Sequence, residues 1–463
     1  MSDDVGLWTA VHLAAAIQHK EMSSREVLDV YLDRIDRLDP PVNAVVTLDV
    51  DRARTAAAAA DEATARGDAH GVLHGLPVTI KDAIETAGLR STGGAVELSD
   101  HVPAGDAPAV ARLKAAGAIV FGKTNLPRWS GDLQTFNEIF GTTNNPWDRE
   151  RAPGGSSGGA AAAVACGFTS FELGTDIAGS VRIPSHFCGV FGLKPSYGLV
   201  PQRGYLDQVD GGLTDADINV FGPIARSAAD VDLLLGVLAG PEPERALAWR
   251  VELPAARGTS LGDYRIAVWL DDPVCAVESG YAAVLTDAVE QLTAAGARID
   301  VAHPPVEFAD QLRVFLGLIG PAVSPSVPDD VAEAMAGPHS AWLGLDQERA
   351  RLREVWAAWF ESYDLLLCPV TPTPAIRHQQ EGAVVSRRMT VDGVDRSYLD
   401  NVSWTGLIGV LGLPAAVPPI GRTRDGLPVG MQVVAPYLRD RDAVHAAGLV
   451  AEIVGGYEAP PGF

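Results

Sequence analysis

The 463-residue chain contains only four cysteines, Cys166, Cys188, Cys275 and Cys368, and none forms a C-x-x-C pair. They stand among apolar neighbours, as in Leu365-Leu366-Leu367-Cys368-Pro369-Val370. That spacing supports neither a disulfide framework nor a thiolate zinc site, and buried free thiols are expected. The ten histidines show no H-E-x-x-H or other paired spacing, so neither a metal nor any other cofactor is expected. No apolar run approaches the roughly 18 residues that suggest a membrane span. The opening Met1-Ser2-Asp3-Asp4 is acidic where a secretion signal is basic. These absences predict a cytoplasmic protein. Basic residues are also scarce, 36 against 59 acidic, for a formal charge of −23. Such a charge repels phosphate backbones and anionic lipid heads, so neither nucleic acid nor membrane is expected as a partner. The acidic residues are scattered, as at Asp271-Asp272 and Asp329-Asp330, which reads as a solvated surface.

What is present describes a globular chain: 47% hydrophobic and 21% charged residues, with 48 glycines that suggest many backbone-made features. Length alone suggests two or three domains. Residues 8–66 read as three helices, the second opened by the capping box Ser23-Ser24-Arg25-Glu26 and closed before Asp39-Pro40-Pro41. From about residue 72 short apolar runs end in glycine or polar turns, including Leu76-Pro77-Val78-Thr79-Ile80 and Ala118-Ile119-Val120-Phe121. Strands alternating with helices imply an α/β sheet. Residues 132–215 are dense in Gly, Ser, Asn and Pro but too patterned for a linker, and read as a site made of loops. The stretch from Gly240-Pro241-Glu242-Pro243 to Gly258 is the best candidate boundary. Beyond it helices are expected near 280–296, 306–319, 343–361 and 441–454, with strands near 264–270 and 364–370.

One motif is rejected on its context. Gly117-Ala118-Ile119-Val120-Phe121-Gly122-Lys123-Thr124 fits the phosphate-loop pattern letter for letter. Its four middle residues form an apolar strand, whereas a phosphate loop needs them as a loop with free N–H groups.

Two glycine-preceded serines carry more. Ser156 lies in Pro153-Gly154-Gly155-Ser156-Ser157-Gly158-Gly159, which taken alone would equally suit a flexible turn before the alanine-rich 160–165. Ser180 lies in Gly174-Thr175-Asp176-Ile177-Ala178-Gly179-Ser180-Val181-Arg182-Ile183-Pro184. A serine hydroxyl needs a base to attack a carbonyl. There is no G-x-S-x-G elbow, and His186 reads better as packing than as a base. The candidate base is Lys81, at the end of the apolar run in Gly75-Leu76-Pro77-Val78-Thr79-Ile80-Lys81-Asp82. A lysine after a strand is more often a surface charge, but one whose stem leaves an apolar strand can be desolvated, which lowers its affinity for a proton. The small-residue turn before Ser180 can aim backbone N–H groups at a carbonyl oxygen.

Over about residues 8 to 455 the sequence resembles the amidase signature family. Four blocks carry the resemblance: Gly75-Leu76-Pro77 through Lys81-Asp82; Gly122-Lys123-Thr124-Asn125; Gly154 through Gly159; and Gly174 through Pro184 continuing into Gly192-Leu193-Lys194-Pro195. The resemblance implies one amidase signature domain over 1–463, built on a single large mixed, twisted sheet flanked by helices. In it the N-terminal helices fill about 8–66 and the catalytic core about 72–240. The second half, about 260–455, completes the sheet and pocket.

The resemblance also implies the chemistry. Ser180 forms the acyl-enzyme, and Ser156, after a cis peptide bond, relays the proton between Ser180 and Lys81. The N–H groups of Ile177, Ala178, Gly179 and Ser180 form the oxyanion hole, while Asp176 and Arg182 hold the turn. Ala178 departs from the family's usual glycine and is strained only if that position needs a positive φ. Arg128 departs too. With Trp129, Gln202 and Tyr205 it is expected to line the substrate pocket, although a surface arginine stacked on Trp129 fits equally well. The implied protein is a monomer or homodimer acting on a small amide, ester or carbamate. Two alternatives stand beside it: the amidase subunit of a tRNA-dependent amidotransferase, and a catalytically silent scaffold. Intact Lys81, Ser156 and Ser180 weigh against the second.

Overall fold

Two sheets meet edge to edge in a computed structural model that describes residues 3–209, 212–327 and 329–463. The smaller has three strands, Val45–Leu48 antiparallel to Ile119–Thr124, which in turn runs parallel to Pro77–Lys81. The last two strands are buried at every residue, which is why they read as continuous apolar runs without alternation. The larger sheet has eight strands. Three parallel strands, Arg298–Val301, Arg265–Val268 and Leu365–Cys368, form one side. The sheet continues antiparallel through Gln432–Val434, Ala415–Val417, Phe191–Lys194, Val220–Ala225 and Phe171–Asp176. The α/β class is as expected, a large mixed sheet flanked by helices, and its strands come from both sides of the glycine- and proline-rich 240–258.

The N-terminal helices form at Ala10–Gln18, Ser24–Leu38 and Val50–Arg66. At the second, the Ser23 hydroxyl accepts from Glu26 N at 3.1 Å and the Glu26 carboxylate accepts from Ser23 N at 2.8 Å. This satisfies two of the first turn's orphan donors reciprocally. Among the described residues no helix is long and apolar enough to cross a membrane.

Several strands left no mark in the sequence. Ala415–Val417 and Gln432–Val434 have three residues each, too few to display a period. The hairpin Arg388–Val391 and Val394–Ser397 is also new. The two sheets are joined by side chains: Thr79 N donates to Thr169 Oγ1 at 3.2 Å, and the Thr79 hydroxyl donates to Glu172. Lys81, Ser156 and Ser180 gather at this seam.

Candidate active site

Lys81 ends the Pro77–Lys81 strand with no exposed surface. Its Nζ donates to Ser156 Oγ at 2.6 Å and to Thr175 Oγ1 at 2.7 Å. Burial drives its proton affinity well below that of an ordinary lysine, against the opposing pull of Asp176 and Glu172. A lysine in this state is able to take a proton.

The Gly155–Ser156 peptide is cis. The residues after it are fixed by close backbone approaches. Gly159 N donates to Asn125 O at 3.2 Å, and a Cβ on Gly159 would stand 2.5 Å from Asn125 backbone atoms. Only glycine lets the Gly158–Ala165 helix approach so closely. Ser157 N donates to Ser180 O at 3.1 Å, which ties the Ser156 loop directly to the second serine.

Ser180 is 4% exposed and follows Gly179, whose φ of 120° suits glycine alone. Asp176 organises this turn, accepting from Gly179 N at 2.8 Å, Val181 N at 3.1 Å and Arg182 N at 3.3 Å. Burial alone would raise the Asp176 carboxyl, but Arg182 and these amides hold it below its ordinary value. Arg182 donates to both Asp176 oxygens, at 3.0 and 2.8 Å, and from Nη1 to Thr405 O and Gln432 Oε1, both at 2.8 Å. This arginine therefore welds the turn to the centre of the sheet.

The turn corrects one expectation. Gly179 N–H is already engaged by Asp176, so it is not free to meet an oxyanion. Among the described residues no acceptor takes the N–H groups of Ile177, Ala178 and Ser180. Ala178 does not have a positive φ, so alanine there is unstrained.

The expected pocket residues divide. Trp129 packs in a small apolar cluster with Ala95, Leu98 and Leu206. Tyr205 is buried with Ser130 and Thr175 beside its hydroxyl, which places it next to the Lys81 partner. The structure places the other two as follows. Arg128 is exposed, paired with Glu97 at 2.5 Å and lying over the Trp129 ring at 5.9 Å, so it is a surface arginine. Gln202 is tied internally, accepting from Asn219 Nδ2 at 2.8 Å.

His186 is not placed to act as a base. Its Nδ1 accepts from Gly430 N at 2.7 Å and its Nε2 meets Thr373 O at 3.1 Å, and burial lowers its pKa to about 4. Lys123 of the phosphate-loop lookalike is buried in the strand, with Nζ bonded to Ile84 O, Thr86 Oγ1 and Ser91 Oγ.

Two features around these residues escaped the sequence. Thr175 received no role although it is the second partner of Lys81. Asp132 lies beside Gly155, whose added Cβ would be 2.6 Å from Asp132 O. The Asp132 carboxylate is clamped by Arg387 at 2.5 Å and the Tyr398 hydroxyl at 2.7 Å. Both partners are more than 250 residues away in sequence, so nothing local could reveal the clamp. Among the described residues no cluster of His, Cys, Asp and Glu could hold a metal ion.

Comparison with known proteins identifies the family. The sequence profile described as Amidase matches residues 26–324 and 317–444. A glutamyl-tRNA(Gln) amidotransferase subunit from Thermosynechococcus vestitus is 32% identical, over 92% of this chain and 94% of its own length. An indoleacetamide hydrolase from Bradyrhizobium diazoefficiens is also 32% identical, over 97% and 87% respectively. The structure of a bacterial aryl acylamidase of the amidase signature family superposes with a TM-score of 0.84 at 26% identity, over 96% of each chain. A buried lysine bonded to the serine after a cis peptide, a second serine on a glycine turn, and these full-length likenesses lead to one conclusion: the chain belongs to the amidase family, whose members act on C–N bonds.

Proposed function

We propose that this chain is a stand-alone amidase, one domain over 1–463, that hydrolyses a small, largely uncharged amide through an acyl-enzyme. The observation that carries the reading is the 2.6 Å bond from fully buried Lys81 Nζ to Ser156 Oγ. Neutral Lys81 takes a proton from Ser156 as Ser156 takes one from Ser180, and Ser180 Oγ attacks the carbonyl carbon. The N–H groups of Ile177, Ala178 and Ser180 receive the developing oxyanion. The return of the proton along the same path supplies the departing nitrogen, which cannot leave as an anion. Water then attacks the acyl-enzyme and releases Ser180. Esters and carbamates present the same carbonyl with a heteroatom leaving group and suit the same residues. The acidic charge of the chain suits action in the cytoplasm, as a monomer or homodimer.

The likeness to amidotransferase subunits supports a second reading, release of ammonia from glutamine for a partner subunit. Glutamine is a zwitterion and needs free charges to hold it. Arg182, Arg387 and Arg128 are each already paired, with Asp176, Asp132 and Glu97, which favours an uncharged substrate.

The test is intact-protein mass spectrometry after exposure to a fluorophosphonate, with wild type, Ser180→Ala and His186→Ala side by side. One adduct on wild type and on His186→Ala, and none on Ser180→Ala, is expected. An adduct on Ser180→Ala overturns the assignment. Ammonia release from glutamine, with no turnover of neutral amides, moves the second reading to the front.

A further inference from the structure

Residues 132–135 back the loop that carries Ser156. A Cβ on Gly155 would stand 2.6 Å from Asp132 O and Leu133 C and 2.7 Å from Gln134 N, so the two backbones touch with no room for a side chain between them. On the same side the Thr135 hydroxyl donates to Gly154 O at 2.9 Å and accepts from Gly158 N at 3.1 Å. Glycines at 154, 155, 158 and 159 give the loop little stiffness of its own. The place of Ser156 is therefore set by what stands behind it.

Segment 132–135 lies in no helix or strand. The side chains of Asp132 and Gln134 hold it, and among the described residues the distant partners of both come from 379–398. Gln134 pairs with the backbone of Gln379, donating from Nε2 to Gln379 O at 2.7 Å and accepting at Oε1 from Gln379 N at 2.9 Å. Asp132 accepts from the Tyr398 hydroxyl at 2.7 Å with one oxygen and from Arg387 Nη1 at 2.5 Å with the other.

Arg387 and Tyr398 owe their places to the hairpin of Arg388–Val391 and Val394–Ser397, which belongs to neither larger sheet. Its turn is Asp392-Gly393, with φ of 48° and 79°, the left-handed pair that a two-residue hairpin turn requires. At its open end Arg388 pairs with Ser397, and Tyr398 N donates to Arg387 O at 3.1 Å. The hairpin thus delivers an arginine and a tyrosine side by side to one carboxylate. Arg387 also gathers its own segment, donating from Nε to Glu381 O at 3.2 Å and from Nη2 to Gly382 O at 3.1 Å. A planar fork makes these bonds together, which an ammonium could not. The guanidinium lies over the rings of Phe136 and Tyr398 at 5.8 and 5.5 Å, and the Asp132 and Arg387 side chains are each only 6% exposed.

Resting on the reading of Ser156 as the proton relay, we infer that Arg387 is a positioning residue: through Asp132 it holds 132–135 against Gly155 and so keeps Ser156 Oγ within bonding distance of Lys81 Nζ. The hairpin is the brace that carries it.

A double-mutant cycle on the full chain tests this. The readout is the rate at which a fluorophosphonate labels Ser180 in intact-protein mass spectra, with probe concentration raised until each variant reacts. Arg387→Met should label about ten- to a hundredfold more slowly than wild type, the range for a reacting group displaced by about 1 Å. In Ser156→Ala the positioned group is gone, so adding Arg387→Met should cost less than about twofold more. Equal losses in the two backgrounds would show that Arg387 serves the fold alone and overturn the inference, as would labelling of Arg387→Met at the wild-type rate. Where Arg387→Met does not fold, Tyr398→Phe carries the same cycle under the same two overturning outcomes. It keeps the ring, deletes one bond to Asp132 and should cost about three- to tenfold in the presence of Ser156 and nothing further without it. Labelling of Ser156→Ala as fast as wild type overturns the relay reading itself, and this inference with it.

Discussion

Asp176 and Arg182 form a buried, two-pronged ion pair at 3.0 and 2.8 Å whose two members have no exposed side-chain surface. The pair shapes the turn that presents Ser180, because Asp176 also gathers the amides of Gly179, Val181 and Arg182. Removing one partner leaves an uncompensated buried charge. Arg182→Ala is expected to lose about 3–5 kcal/mol of stability and to stop Ser180 labelling, as read by urea denaturation and mass spectrometry on the same samples.

The triad variants should rank by their distance from the reacting carbonyl. Ser180→Ala is expected to abolish turnover. Lys81→Ala should lower it by about a hundred- to ten-thousandfold, the usual range for a lost general base, with amides hit harder than esters because the amine needs the returned proton. Ser156→Ala should fall between the two. Steady-state kinetics on a matched amide and ester pair measures this order.

Lys81 also gives a signed dependence on pH. Its affinity for a proton is lower in the fold than in the open chain, so the unfolded state binds the extra proton and folding releases it. Below the ordinary lysine range this opposes folding, and stability rises with pH. Lys81→Met, which buries no ionisable group, should therefore be inactive yet melt higher than wild type near neutral pH. Scanning calorimetry showing a lower melting temperature would refute the cost assigned to this lysine.

His186 separates structure from chemistry. His186→Ala removes two buried hydrogen bonds and leaves a cavity between the Arg182–Cys188 helix and the Thr373 and Gly430 segments. A loss of about 2–4 kcal/mol is expected, with Ser180 still labelled in the fraction that remains folded.

Chelation should leave activity unchanged, since the chemistry is assigned to lysine and serine. Loss of turnover in EDTA, restored by a divalent ion, would show that a metal takes part.

The sequence by itself determined the local structure around Lys81, Ser156 and Ser180. The capping box at Ser23 and Glu26, the apolar strand ending in Lys81 and the Asp176–Arg182 turn that carries Ser180 act through neighbouring residues, so their patterns are visible in the chain. Tertiary structure alone decided what these groups meet. Thr175 is an unremarkable strand residue until the two sheets join and place it beside Lys81. Gly179 looks like an oxyanion donor until Asp176 takes its amide. Arg128 reads equally as pocket or surface until Glu97 pairs with it, and Arg387 means nothing near Ser156 until it closes on Asp132. Periodicity and turn chemistry report only contacts a few residues apart, whereas burial and pairing across a sheet depend on residues hundreds of positions away. Those long-range contacts set whether a lysine is an ammonium or a base.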